Sequence, residues 1–156
     1  LSDFIKTLLT STGLITIIIF CFNRYQEKRH LRVSCLVLLI EISRHKTWLT
    51  TLLKTLSPLD RKCSLDVIST SDFVNNDWNR IKFDAMFARI PSKDFNIIAL
   101  HYNEMFTFQK AVEKCYQRNE GIDAKTFAAS RLEICKHAYN IVYFLAGKPA
   151  GYELQK

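Results

Sequence analysis

The run Leu14–Phe22 constrains this chain more than any other stretch, because its nine residues hold a single polar side chain, Thr16. Directly after it come Arg24, Lys28, Arg29 and Arg32. A core helix has no need of such a collar, whereas a helix leaving a bilayer does. Counted from Phe4 to Phe22 the apolar segment is 19 residues with one charge, Lys6, near its outer end. A spanning helix needs roughly 17–25 apolar residues, and a lysine near one end can snorkel to the interface. A cleaved leader would carry its positive charge before the apolar core and small residues after it. Here the charge follows the core, and Phe20, Phe22 and Tyr25 occupy the exit. The expectation is therefore an uncleaved anchor over residues 1–23, single-pass in the inner (cytoplasmic) membrane, with the remainder in the cytoplasm.

Charge is distributed accordingly. The net charge is +7, and residues 1–62 hold ten of the 22 Lys and Arg but only four of the 15 Asp and Glu. The positive excess sits next to the anchor, where Arg24, Lys28, Arg29 and Arg32 would meet anionic headgroups. On a helical wheel Lys6, Thr10 and Gly13 fall together with Thr16 at their flank, while Phe4, Leu8, Ile15, Ile18 and Ile19 take the opposite arc. The first arc calls for another helix or for water, so Lys6, Thr10, Gly13 and Thr16 are expected to form an oligomer or pore face.

Residues 24–58 read as basic juxtamembrane helices that continue the anchor. Leu31–Ile42 is too short to span, and Trp48, Leu49, Leu52, Leu53 and Leu56 recur at helical spacing until Pro58. His30 and His45, in basic sequence, are expected in solvent. Residues 59–156 read as a helical bundle. One helix is expected from Ser71 or Asp72 to Pro91, with Trp78, Ile81, Ala85 and Ala88 in register. A second runs from Ser92 to Gly121, with Phe95, Ile98, Ala99, Tyr102, Phe106 and Val112 apolar. A third runs from Asp123 to Gly147, with Phe127, Ile134, Ala138, Ile141, Val142 and Leu145 on one face. No alternating strand pattern occurs. The fold class expected is all-α: an N-terminal transmembrane helix extended into a cytoplasmic antiparallel bundle of about four helices.

Catalytic signatures are scarce. There is no Gly-rich phosphate loop, no GxSxG and no HExxH. The five cysteines are scattered without a CxxC pair, which suits a reducing compartment and neither a disulfide framework nor a zinc site. No metal or cofactor is expected. Lys82, Arg89, Lys136 and His137 are candidates for contacting an anionic nucleotide.

The segment "RLEICKH", Arg131–His137, places an Arg and a His six residues apart on the last long helix. It resembles the motif of HEPN nucleases, in which an Arg and a His act on the RNA 2′-hydroxyl and the scissile phosphate. A base or acid beside a fixed cation suits that chemistry. Here Leu132 replaces the polar residue that commonly follows the family's Arg, and on an ideal helix the two side chains lie about 240° apart. The expectation is a motif that serves structure or assembly rather than turnover. The whole layout also resembles small CRISPR-associated membrane proteins that accompany RNA-targeting nucleases. That resemblance implies a HEPN-like bundle, homo-oligomers that form pores in antiviral defence, and RNA, a cyclic oligonucleotide or the nuclease as partners besides the bilayer. Three alternatives stand beside it: a sensor of cyclic nucleotide or RNA, a membrane-tethered RNase, and a bitopic subunit of a larger complex.

Overall fold

The computed structural model describes residues 11–55, 76–84, 87–118 and 124–147. Four α-helices appear among them, with no strand: α1 (Ser11–Thr55), α2 (Asn76–Ile81), α3 (Ser92–Arg118) and α4 (Ala124–Leu145). A 3-10 turn, Phe87–Arg89, precedes α3. Lys6, Thr10 and the Pro58 stop lie outside the described residues.

α1 is one continuous helix of 45 residues, about 68 Å long at 1.5 Å per residue. Its two halves have opposite surroundings. From Leu14 to Phe22 every residue is exposed: Ile17 is 44% exposed and Ile18 and Phe20 are each 61% exposed. Leu14 to Phe20 takes in nearly two full turns, so the helix is bare all the way round. From Ser34 onward the same helix becomes the spine of a bundle. Cys35, Leu38, Leu39, Ile42, Leu49 and Leu52 are buried at three- and four-residue spacing. Within the stretch 24–58, expected as juxtamembrane helices, Leu31 to Leu53 thus feed the same core as α3 and α4. His45, expected in solvent, is 1% exposed; the register that buries Ile42 and Leu49 brings it inward.

α1 packs chiefly on α4, and α3 lies against α4. The inward positions of α3 are Ile98, His101, Tyr102, Met105 and Phe108. Phe106, expected on the apolar face, is 51% exposed, because it lies about 100° from Met105 and 200° from Phe108. On α4 the buried set is Ala128, Cys135, Ala138, Tyr139 and Val142.

The single helix expected from Ser71 to Pro91 is broken. α2 ends at Ile81, a turn carries Lys82 and Phe83, and the Asp84 N–H donates to the Ile81 carbonyl at 2.8 Å. The reason is geometric. Nine residues separate Trp78 from Phe87 and Ile81 from Ile90, which on a straight helix is about 180°. All four are buried, and only a break brings them to one side; the Trp78 and Phe87 ring centroids are 6.3 Å apart.

Three contacts fasten α1 where it joins the bundle. Glu27 pairs with Arg89. His30 Nδ1 lies 3.3 Å from Asp84. Arg32 Nε donates to the Ala146 carbonyl at 2.9 Å, capping the end of α4 where Gly147 turns the chain with φ 78°. A left-handed glycine just past the last turn leaves helix carbonyls for such a donor. Arg32 is therefore engaged by α4, although it is exposed like Arg24, Lys28 and Arg29.

The two halves of α1 should respond differently to truncation. Leu38→Ala should cost about 2–5 kcal/mol through the cavity it leaves. Ile18→Ala should leave the unfolding midpoint in detergent unchanged. Thermal melts followed by circular dichroism check both.

Candidate functional site: a buried polar cluster between helices 1, 2 and 3

Glu41 and His45 are four residues apart on α1 and both turn into the bundle. Glu41 is 6% exposed. Its Oε2 accepts the Tyr102 O–H at 2.7 Å and the Trp78 backbone N–H at 3.3 Å. One carboxylate oxygen thus ties α1 to α3 and to the first turns of α2. Tyr102 also stacks flat on Trp78, with centroids 4.7 Å apart, so the acceptor and the aromatic pair fix one another. Glu41 Oε1 is buried with no hydrogen-bond partner among the described residues.

His45 Nδ1 meets His101 Nε2 at 3.1 Å, and His101 Nδ1 is buried and unpartnered. A proton on His101 Nε2 leaves only a lone pair unmet, which costs less than an orphaned N–H. Burial pushes the His45 imidazole down to about 4. Burial, then the facing His45, pushes His101 down to about 3. Both rings are neutral at neutral pH. Glu41 is raised, first by burial; its bond from Tyr102 pulls it back, the Asp77 charge raises it again, and the Trp78 and Asp77 amides pull it back. Burial, with Glu41 adding, holds the Tyr102 phenol well above its ordinary value.

The other sequence-selected residues lie elsewhere. Arg131 is not free for a phosphate: its guanidinium pairs with Glu104 of α3 at 2.7 Å and lies over the Phe127 ring, 4.4 Å from the centroid. His137 is exposed on α4. Lys82 donates to Asn79, Arg89 pairs with Glu27, and Lys136 with Glu133, so each of these cations is engaged by a neighbour. Gly13 is half-buried and Thr16 exposed on the bare half of α1. Cys35 and Cys135 are free and buried, and burial pushes each thiol up to about 12, which makes them poor nucleophiles. Among the described residues no group of three or more His, Cys, Asp or Glu is placed to hold a metal.

The cluster was missed in the sequence because Glu41 and His45 sit amid Arg44 and Lys46, which reads as a solvated face. The available signal was their i,i+4 spacing in phase with Leu38, Ile42 and Leu49. No protein-family model matches the chain, and no curated protein or solved structure does so.

The cluster makes stability depend on pH. A histidine whose pKa is depressed on folding contributes fully above its unfolded value of 6.5 and loses that contribution as pH falls toward the folded value. Between pH 6.5 and about 4 for His45, and about 3 for His101, the fold should therefore weaken. The slope approaches about 1.4 kcal/mol per pH unit for each ring. Glu41 acts oppositely: its raised pKa favours folding as pH falls, and offsets part of the loss. Urea melts at pH 7.5, 6, 5 and 4 check the trend, and His101→Phe should flatten it.

A second expectation concerns the Arg131/His137 pair. His137→Ala should leave fold and thermal midpoint unchanged. Arg131→Ala should lower the midpoint by losing the Glu104 pair and the Phe127 packing. Neither variant should differ from wild type in an RNA-cleavage assay, since wild type is expected to show no turnover.

Proposed function

We propose that the protein is a single-pass, membrane-anchored effector whose helical body stands at the bilayer surface and acts through self-association. One observation carries the reading: the large apolar side chains Leu14, Ile15, Ile17, Ile18, Ile19, Phe20 and Phe22 are all exposed on one helix. That helix runs without a break into a well-packed core. Monomeric soluble proteins rarely leave such a contiguous apolar surface bare. Among the described residues no helix is long and apolar enough to cross a membrane. The nine residues Leu14–Phe22 rise only about 13 Å, and the span is completed by the sequence from Phe4 onward.

In this reading Arg24, Lys28 and Arg29 lie at the cytoplasmic headgroups and hold the bundle on that side. Copies of the chain meet along Lys6, Thr10, Gly13 and Thr16, where small and polar residues favour helix contact over lipid. The assembly perturbs or perforates the membrane, as the layout of the small CRISPR-associated membrane proteins suggests. The setting is bacterial antiviral defence. A sensing role has one observation in its favour. The helix that carries the anchor also carries Glu41 and His45, so a change at the cluster is mechanically continuous with the membrane segment. An RNase reading has none, because Arg131 already pairs with Glu104.

The full chain should stay in the membrane pellet after alkaline carbonate washing, and protease added outside intact cells should spare residues 27–147. In detergent its mass should be that of an oligomer. Gly13→Leu should lower that mass and relieve growth arrest on expression, while Ile15→Leu should do neither. Release by carbonate would overturn the anchor; a monomer in detergent would overturn the effector reading.

A further inference from the structure

A groove of about 580 Å³ runs along α1 beside the cluster, lined by Val37, Glu41, Arg44, His45, Trp48 and Asp77 among others. Two of its walls are unusual. Glu41 is more than nine-tenths buried, and one of its carboxylate oxygens, Oε1, has no hydrogen-bond partner among the described residues. Asp77 places a second carboxylate in the same wall, and its charge acts on Glu41. An acceptor-only group left unmet out of water is costly, and a donor that reaches it recovers that cost. Two carboxylates facing one space repel, and a cation between them relieves the repulsion. The cation that pairs with Asp77 among the described residues, Arg80 at 3.1 Å, is 70% exposed, so solvent screens most of its effect.

We infer that this groove binds a small organic cation: a primary ammonium carried on an apolar body. The ammonium donates to Glu41 Oε1 and is balanced by Asp77, a charge-assisted arrangement stronger than a neutral donor would give. Val37 and Ile40 provide aliphatic wall for the body, and Trp48 an aromatic surface that also favours a cation. Arg44 lines the same groove, and its fixed positive charge disfavours a second ammonium on the ligand. The site therefore selects monoamines over polyamines. It also disfavours nucleotides, whose phosphates would face Glu41 and Asp77. This inference is independent of how the chain meets the membrane.

The test uses the full chain in detergent, with 2-phenylethylammonium as the probe, 2-phenylethanol as its neutral counterpart and spermidine as the polyamine. Binding is read from tryptophan fluorescence and from the shift in thermal midpoint. Wild type should respond saturably to 2-phenylethylammonium and at least about tenfold more weakly to the alcohol and to spermidine. Glu41→Gln keeps the shape and the Tyr102 contact but removes the charge, and should weaken the ammonium at least about tenfold. Should that variant fail to fold, Thr47→Arg decides: it adds positive charge at an exposed position of the groove, outside the core, and should weaken the ammonium similarly. Partitioning into the micelle is common to every protein, so it cancels in the comparison. No saturable response, equal response to the alcohol, or undiminished binding by the variants would overturn the site.

Discussion

The Glu41 carboxylate is the contact on which the body of this protein depends. A single oxygen accepts from Tyr102 of α3 and from the Trp78 amide at the start of α2, and the residue itself belongs to α1. α2 is only six residues long, too short to hold its shape alone. It is kept in place by this acceptor, by the stack of Trp78 on Tyr102 and by burial of Trp78 and Ile81. A buried carboxylate contributes little net stability in such a role, since desolvation offsets most of its bonds. What it supplies is register: a hydrocarbon side chain at position 41 would pack, but would not specify which turn of α2 meets which turn of α3.

α1 joins two different solvents in one element. Its first half exposes hydrocarbon on every side, and its second half buries a stripe. The transition falls at Glu27–Arg32, where Glu27, His30 and Arg32 reach Arg89, Asp84 and the end of α4. A long helix transmits rotation and tilt because its backbone hydrogen bonds are continuous. Any reorientation of the apolar half is thus delivered to Glu41 and His45, about five to six turns beyond Phe22. The polar cluster holds two unmet atoms, Glu41 Oε1 and His101 Nδ1. Unmet buried groups are costly, so a ligand or a shift of α1 that satisfies them recovers part of that cost.

The charged residues show how the same composition divides into roles. Arg24, Lys28, Arg29 and Arg32 are all exposed, but Arg32, one turn on from Lys28 and Arg29, is drawn to the Ala146 carbonyl because α4 ends beside it. Arg131 likewise serves packing, through Glu104 and Phe127. His45 and His101 are neutral where a reading by neighbours would have made His45 cationic.

The sequence by itself determined the all-helical class, the start of α3 at Ser92, the end of α4 before the Gly147 stop and the apolar run Leu14–Phe22. These are local properties, set by periodicity, capping and a run of hydrocarbon interrupted by a single polar side chain, Thr16. The expected Gly121 stop and Asp123 start lie outside the described residues. Only the tertiary structure decided that α1 is the spine of the bundle, that the expected helix over residues 71–91 breaks at 82–84, and that Glu41, His45 and His101 meet. The first and last of these depend on contacts between residues 37 to 114 positions apart, such as Glu41 with Trp78 and Arg32 with Ala146, and the break on bringing Trp78 and Phe87 to one buried side. Propensity and spacing describe a helix and its faces; which face is covered, and by what, is fixed when the other helices arrive.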